Sequence, residues 1–388
     1  MEGLSVSASS TLSFVDCFER LQDPRINRSK VYLLIDILFI SVAATLAGAD
    51  GPTDIAAFAT DKLEWCRRFV KLEGGVPSHD TIGRVISLIK PLEFQKAFLE
   101  WVTSFVDPDT SSPVVPRLVP IDGKTVRGSG KARDRANALH IVSAWATESG
   151  LSLGQVAVGE KSNEITAIPE LLKRLELTGA IVSIDAMGCQ KQIAQQIVNG
   201  GGDFLLALKD NQRKFSADVR EFFEQRHELD DFQDYGVRCY TTTETSRGRV
   251  ETRHYYTAPL PASLNQYKRP WSGLRSIGQV ITHVESQGKE SDAVRYYISS
   301  RPARVREFAR AVRGHWGIES MHWVLDVVFS EDRSRIRNGS GPENFSALRK
   351  FVVGLLKRDT SRGSMVGKRK RAAWSTQFLE KLMFFNGI

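Results

Sequence analysis

Cysteine is the rarest residue of this 388-residue chain, with four copies: Cys17, Cys66, Cys189 and Cys239. None of them sits at C-x-x-C spacing, so neither a zinc ribbon nor a disulfide framework is suggested, and thiols this sparse fit a reducing, cytoplasmic compartment. Histidine is scarce too, and His140, His254 and His322 lack the spacing of zinc ligands. No long apolar run is present. The most apolar stretch, 32–49, contains Asp36 and falls short of the ~20 residues that cross a bilayer, which predicts a buried helix and no membrane contact. The opening MEGLSVSASS has no basic segment followed by an apolar core, so no signal peptide is visible. No internal repeat is evident.

What is present is ordinary for a folded protein: 41% hydrophobic and 25% charged residues. The length allows two or three domains with real cores. The formal charge of +8, from 53 Lys and Arg against 45 Asp and Glu, favours a polyanionic partner, nucleic acid first. A merely basic soluble protein has the same balance.

Along the chain the pattern changes twice. Residues 1–13 are Ser-rich and expected to be disordered. Residues 14–106 read as helical, with one helix ending at Gly48, a second over 54–69, a third after the Ser78 or Asp80 cap, and a fourth from Pro91. Such a helical domain suits DNA binding, packing or oligomerisation. Residues 107–117, rich in Pro, Ser and Asp, read as a linker. From 118 to 358 the order is strand (118–122), strand (140–147), strand (151–158), helix (166–177), strand (180–185), helix (189–198), strand (203–209). A hairpin followed by parallel units is the order of a ribonuclease-H-like α/β domain. A β-rich insertion is expected at about 213–300, helices return over 305–329 and 342–356, and residues 359–388, with the run KRKR at 368–371, read as a basic C-terminal tail.

Three carboxylates stand out. Asp122 ends the first strand, Asp185 ends a continuously apolar strand, and Glu319 lies near the start of a strong helix. Ligands gather at the carboxyl ends of strands in open α/β sheets. Phosphodiester chemistry needs such a cluster, because two Mg²⁺ ions ~3.5–4 Å apart can activate the attacking oxygen and stabilise the leaving one, and Mg²⁺ takes hard oxygen ligands. Any one Asp, alone, is more often a cap or turn residue. Glu319, His322 and Asp326 share one helix face. Asp326 lies two turns, ~10 Å, beyond Glu319, so it is expected to be structural, paired with a following arginine, although a rival role as metal ligand stays open. Lys124, Arg127, Lys131 and Arg133 after Asp122, and Lys209 and Arg213 after the strand that follows Asp185, are placed either for phosphates or in solvated loops. Trp271, Tyr296 and Tyr297 could stack on bases, or serve the core.

The segments IDGKTVRGS, IVSIDAMGCQ and HWGIESMHWVLDVVFSEDRSRIR resemble the three catalytic blocks of DDE-type insertion-sequence transposases, and more narrowly the H-repeat-associated subgroup. The resemblance runs from about residue 14 to the end. It implies Asp122, Asp185 and Glu319 as metal-binding catalytic residues. It also implies Mg²⁺, with Mn²⁺ able to substitute, as cofactor, and DNA as substrate: inverted-repeat ends and target. A homo-oligomer assembled on that DNA, acting on the bacterial nucleoid, is implied with them. The expected activity is end cleavage followed by strand transfer. A nuclease without strand transfer, or a silent DNA-binding derivative, remains the alternative. The chain departs from the related signature: His315 stands where an Arg is usual, four residues before Glu319, and Asp326 where a Lys is usual. Arg313, or the run Arg333, Arg335 and Arg337, could supply the missing cations.

Overall fold

The computed structural model describes residues 14–26, 30–104, 117–130, 138–159, 162–246 and 248–384. The segment expected to be disordered, nearly all of the expected linker, and Lys131 and Arg133 lie outside these.

The first region is helical: α1 (Phe14–Phe18), α2 (Leu34–Leu46), α3 (Pro52–Asp61), α4 (Leu63–Cys66), α5 (His79–Leu88) and α6 (Pro91–Thr103). Helix α2 is apolar on every side and is accordingly buried along nearly its whole length. Gly48 follows it with φ of 115°, a conformation open to glycine. Pro52 and Pro91 open α3 and α6, where a missing N–H costs nothing. Ser78 caps α5 by accepting from the Thr81 N–H. The single helix expected over 54–69 is broken at Lys62, whose backbone leaves the helical range.

The rest is mixed α/β, built on one sheet in the order β3-β2-β1-β4-β5-β9-β8-β7-β6. Its strands are β1 (Arg117–Val126), β2 (Leu139–Ala146), β3 (Leu151–Ala157), β4 (Ala180–Ile184), β5 (Asp203–Leu208), β6 (Arg238–Ser246), β7 (Arg249–Pro259), β8 (Ser276–Ser286) and β9 (Lys289–Ser299). Strands β1, β4 and β5 run parallel, and the others pair antiparallel with their neighbours. Alternate side chains divide between two cores. Val119, Val182 and Leu206 pack with α7 (Glu164–Leu172), α8 (Lys191–Asn199) and α9 (Arg213–Leu229). Leu118, Ile181 and Leu205 pack instead under α10 (Val305–Val327). The β-rich insertion is therefore no separate body, because β9 pairs with β5 and continues the sheet.

Two expectations change. Strand β1 begins at Arg117 and runs on through Val126, so Asp122 lies within it. Residues 365–384, expected within a basic tail, form α12 (Met365–Trp374) and α13 (Thr376–Phe384). Lys368 and Arg369 are buried and donate to the carbonyls of Leu356, Asp359, Thr45, Ala49 and Val328. These cations close the ends of helices whose last carbonyls have no partner within the helix. Helices α10 to α13 share one apolar core with the N-terminal helices, through Leu38, Trp101, Leu325, Phe351 and Leu382. Helix α11 (Gly341–Arg358) is central to it, and its Asn344 donates to the carbonyls of Ile86 and Ile89.

Candidate active site

Register alone brings the first two carboxylates together. The parallel ladder of β1 and β4 ends at Ile121 opposite Ile184, so the next residues along the two strands, Asp122 and Asp185, emerge side by side. The Asp185 carboxylate accepts from the N–H groups of Met187 and Gly188, which fixes the turn. Helix α10 crosses the same end of the sheet and supplies Glu319. Asp122, Asp185 and Glu319 line one cleft of about 230 Å³, together with Ser183, Lys209, Arg295, Tyr297, His315 and Trp316. Glu319 lies in the second half of a 23-residue helix, not near its start.

The cleft is rich in negative charge. Burial raises the affinity of Asp185 for its proton, and the carboxylates of Glu164 and Asp122 add to this. Burial likewise raises Glu319, with Asp122 adding to it. His315 is pulled below its ordinary value by burial, against the pull of Asp122 and Asp185; its Nδ1 lies 2.9 Å from Ser183 Oγ. Among the described residues, no group of three or more His, Cys, Asp or Glu side chains is arranged to hold a metal ion as it stands.

The face of α10 expected to carry Glu319, His322 and Asp326 lies along β1. His322 Nδ1 is 3.4 Å from Asp122 Oδ2, and Asp326 is 2.7 Å from Lys124 Nζ. Asp326 is thus ion-paired, but with Lys124 rather than with a following arginine. Lys124 also meets Glu331 at 3.3 Å and Asp332 at 3.2 Å, with its side chain only 9% exposed. Three carboxylates already surround it, so it is not placed to meet phosphate. Arg313 is held by both oxygens of Glu244. Arg127, Arg333, Arg335 and Arg337 are exposed. Gly128 packs against the backbone of Asp332 and Ser334, which brings the Arg127 turn beside the Arg333 turn. Lys209 opens into the cleft and Arg213 starts α9, both exposed. Trp271, Tyr296 and Tyr297 are buried, as core residues are.

Sequence reasoning missed two features. The pair His140 and Glu164, 2.7 Å apart, stands against Gly123, with Thr125 on the other ring nitrogen at 2.8 Å. Gly123 is what admits it, since a Cβ there would collide with both side chains. Arg295 lines the cleft from β9; an Arg in an alternating strand carries no signal of that.

Comparison with known proteins places the chain in a family. Residues 114–354 match the transposase DDE domain, and residues 15–102 match the DDE_Tnp_1-associated domain. YncI of Escherichia coli O157:H7, named a transposase, is 39% identical over 96% of this chain and 95% of its own. YhhI of Escherichia coli strain K12, named an H repeat-associated transposase, is 36% identical over 92% of this chain and 93% of its own. Among solved structures, a piggyBac transposase synaptic complex with hairpin DNA covers 95% of this chain and 76% of its own, at 9% identity and a TM-score of 0.38, too slight a likeness to argue from. The chain belongs to the DDE transposase family, and to its H-repeat-associated group. Domains of that family generally use divalent metal ions. Among the described residues no helix is long and apolar enough to cross a membrane.

Proposed function

We propose that this protein is a DNA transposase whose Asp122, Asp185 and Glu319 hold Mg²⁺, with Mn²⁺ able to replace it. It binds the inverted-repeat ends of an insertion sequence, cuts them, and joins the freed 3′-hydroxyl to target DNA. The observation that carries this is the convergence of the three carboxylates on one cleft from three distant parts of the chain. The strand order β3-β2-β1-β4-β5, with a leading antiparallel hairpin, supports a ribonuclease-H-like reading of the catalytic region. The donor set suits the ion: all three are hard oxygen ligands, and their crowding leaves negative charge that a cation would offset.

Bound divalent ions would stabilise charge on the attacking and leaving oxygens of the phosphodiester. The protein's own part is orientation. The N–H groups of Met187 and Gly188 hold Asp185, and His322 steadies Asp122. His315, whose affinity for a proton burial lowers, lines the cleft. Water is the first nucleophile and the 3′-hydroxyl the second, at the same carboxylates, in an oligomer that holds both ends.

The test is a cleavage and joining assay on DNA carrying the element's ends, with and without Mg²⁺. Asp185→Ala should abolish both steps while end binding persists, because no phosphate-binding cation is lost. A variant that still nicks at the wild-type rate removes Asp185 from the site. Cleavage without joining would leave a nuclease.

A further inference from the structure

The cleft does not end at the carboxylates. A second groove of about 230 Å³ adjoins it and shares Ala207, Lys209 and Arg295 with it, continuing to Arg220 and Tyr296 between α9 and β9. Register explains the overlap. Strands β5 and β9 pair Leu208 with Tyr296, so the next residues, Lys209 and Arg295, face each other across the ladder. In the same sheet, β4 and β5 carry Asp185 to the neighbouring position. Lys209 therefore stands one strand, and Arg295 two strands, from Asp185.

Most cations around the site are already matched. Lys124 has three carboxylates, Arg313 has Glu244, Arg253 has Glu244 and Glu251, and Arg301 has Asp203 and Glu307. Among the described residues, Lys209, Arg220 and Arg295 form no ion pair within 4 Å and all three are exposed, with Arg295 bonded to Tyr297 and close enough to Glu319 to favour its charged form. Among the described residues, Asp210 is the one carboxylate that lines the groove, while Glu224 acts on Tyr296 and Glu319 on Arg295 from beside it. Both guanidinium groups lie over aromatic rings: Arg295 is 5.4 Å from the centre of Trp316, and Arg220 is 6.0 Å from that of Tyr296. A planar cation held by a ring is fixed in orientation, while N–H donors remain at its edge. Such a fork suits two oxygens of one phosphate.

We propose that the groove of Lys209, Arg220 and Arg295 grips the phosphates of the strand entering the carboxylate cleft, with Arg295 on the phosphate nearest the bond that is cut. This rests on the transposase reading and names where its substrate runs. The alternation of an acidic cleft and a basic groove orients the strand. Its backbone is attracted to the groove and repelled by bare carboxylates, so it is held along one wall until divalent ions admit it to the cleft.

The experiment measures binding of the full-length chain to a fluorescein-labelled duplex with a 3′ overhang, over a series of salt concentrations, all in an Asp185→Ala background. Each neutralised phosphate contributes a slope of about 0.7–0.9 in log K against log salt. Arg295→Ala and Arg220→Ala should each lower the slope by about that amount and weaken binding about tenfold, as the loss of a charged hydrogen bond does. Arg295→Lys should keep the slope and recover only part of the affinity, because the stacked fork is gone. Lys96→Ala, which removes a cation already beside Glu93, should leave the slope unchanged. Should an arginine variant melt early, Lys209→Gln at the exposed strand end reads the same slope. Unchanged slope and affinity in the Arg295, Arg220 and Lys209 variants, with an Asp185→Ala parent that binds DNA and a wild-type chain that cuts it, would overturn the groove and leave the transposase reading intact. A wild-type chain that neither binds nor cuts DNA in Mg²⁺ would overturn both.

Discussion

Asp122 and Lys124 are two residues apart on β1, on the same face, yet they belong to opposite kinds of surroundings. Asp122 looks into an open cleft of carboxylates whose charges are poorly offset. Lys124 looks into a closed cluster where Asp326, Glu331 and Asp332 surround it and Arg349 stands 3.7 Å from Glu331. Behind that cluster Lys350 donates to Ser143 and Gln155. On the proposed function, the difference separates charges that hold the fold from charges kept for chemistry. Buried charges that only support structure come matched, since an unmatched one is costly. Charges in a reactive site are left unmatched because their partner is a substrate or an ion.

The comparison can be broken most sharply at the cleft. Glu319→Gln should reduce DNA cleavage to background at every Mg²⁺ concentration, with the thermal midpoint held or raised, because it removes one of several mutually repelling charges. A large loss of stability instead would place Glu319 among the structural charges. The next largest effect belongs to the closed cluster. Glu331 is wholly buried, so Glu331→Gln should destabilise the chain by ~3–5 kcal/mol, the usual result of stranding buried cations. Urea unfolding checks it, and a change within error would show that Lys124 and Arg349 find other partners. Asp326→Asn should cost less, about 1–2 kcal/mol, because Asp332 and Glu331 still face Lys124. It should leave measurable cleavage under limiting Mg²⁺. If this variant were dead and Glu319→Gln active, the third catalytic carboxylate would be Asp326.

Acid titration sharpens the same contrast away from the site. Burial pushes the Asp359 carboxyl up, but hydrogen bonds from Ser361, Lys381 and Lys368 together outweigh it and hold the group at about 2. A carboxyl held below its ordinary 3.8 stabilises the fold fully above that value, and loses the contribution as pH falls toward 2. Asp359→Asn should therefore flatten the loss of thermal stability between pH 4 and pH 2, a window set by those two values. An unchanged slope would mean that other carboxyls set the acid limit. The smallest effect is expected at Arg127, whose side chain is 81% exposed. Arg127→Ala should change stability by no more than about 0.5 kcal/mol, read from the same unfolding curves.

Much of the molecule was legible in residue order. The apolar run of α2, the buried strand before Asp185, the β4-α8-β5 succession and the three carboxylate blocks all depend on local pattern, and local pattern fixes which residues can be interior. Asp122 and Asp185 could be expected together because each was read at the carboxyl end of a strand in one open α/β sheet. The fate of each cation was not legible. Lys124 read equally as a phosphate contact or a solvated loop residue, and KRKR as a tail, because a basic residue reads the same whether its partner is water, DNA or a carboxylate 208 positions away. Arg295 carried no signal at all, since its place opposite Lys209 depends on β9 returning to pair with β5 after a long excursion. The sequence by itself determined the carboxylates and the elements that carry them. Only the tertiary structure decided which charges are matched, because Coulomb attraction acts between groups that are near in space, whatever their distance along the chain.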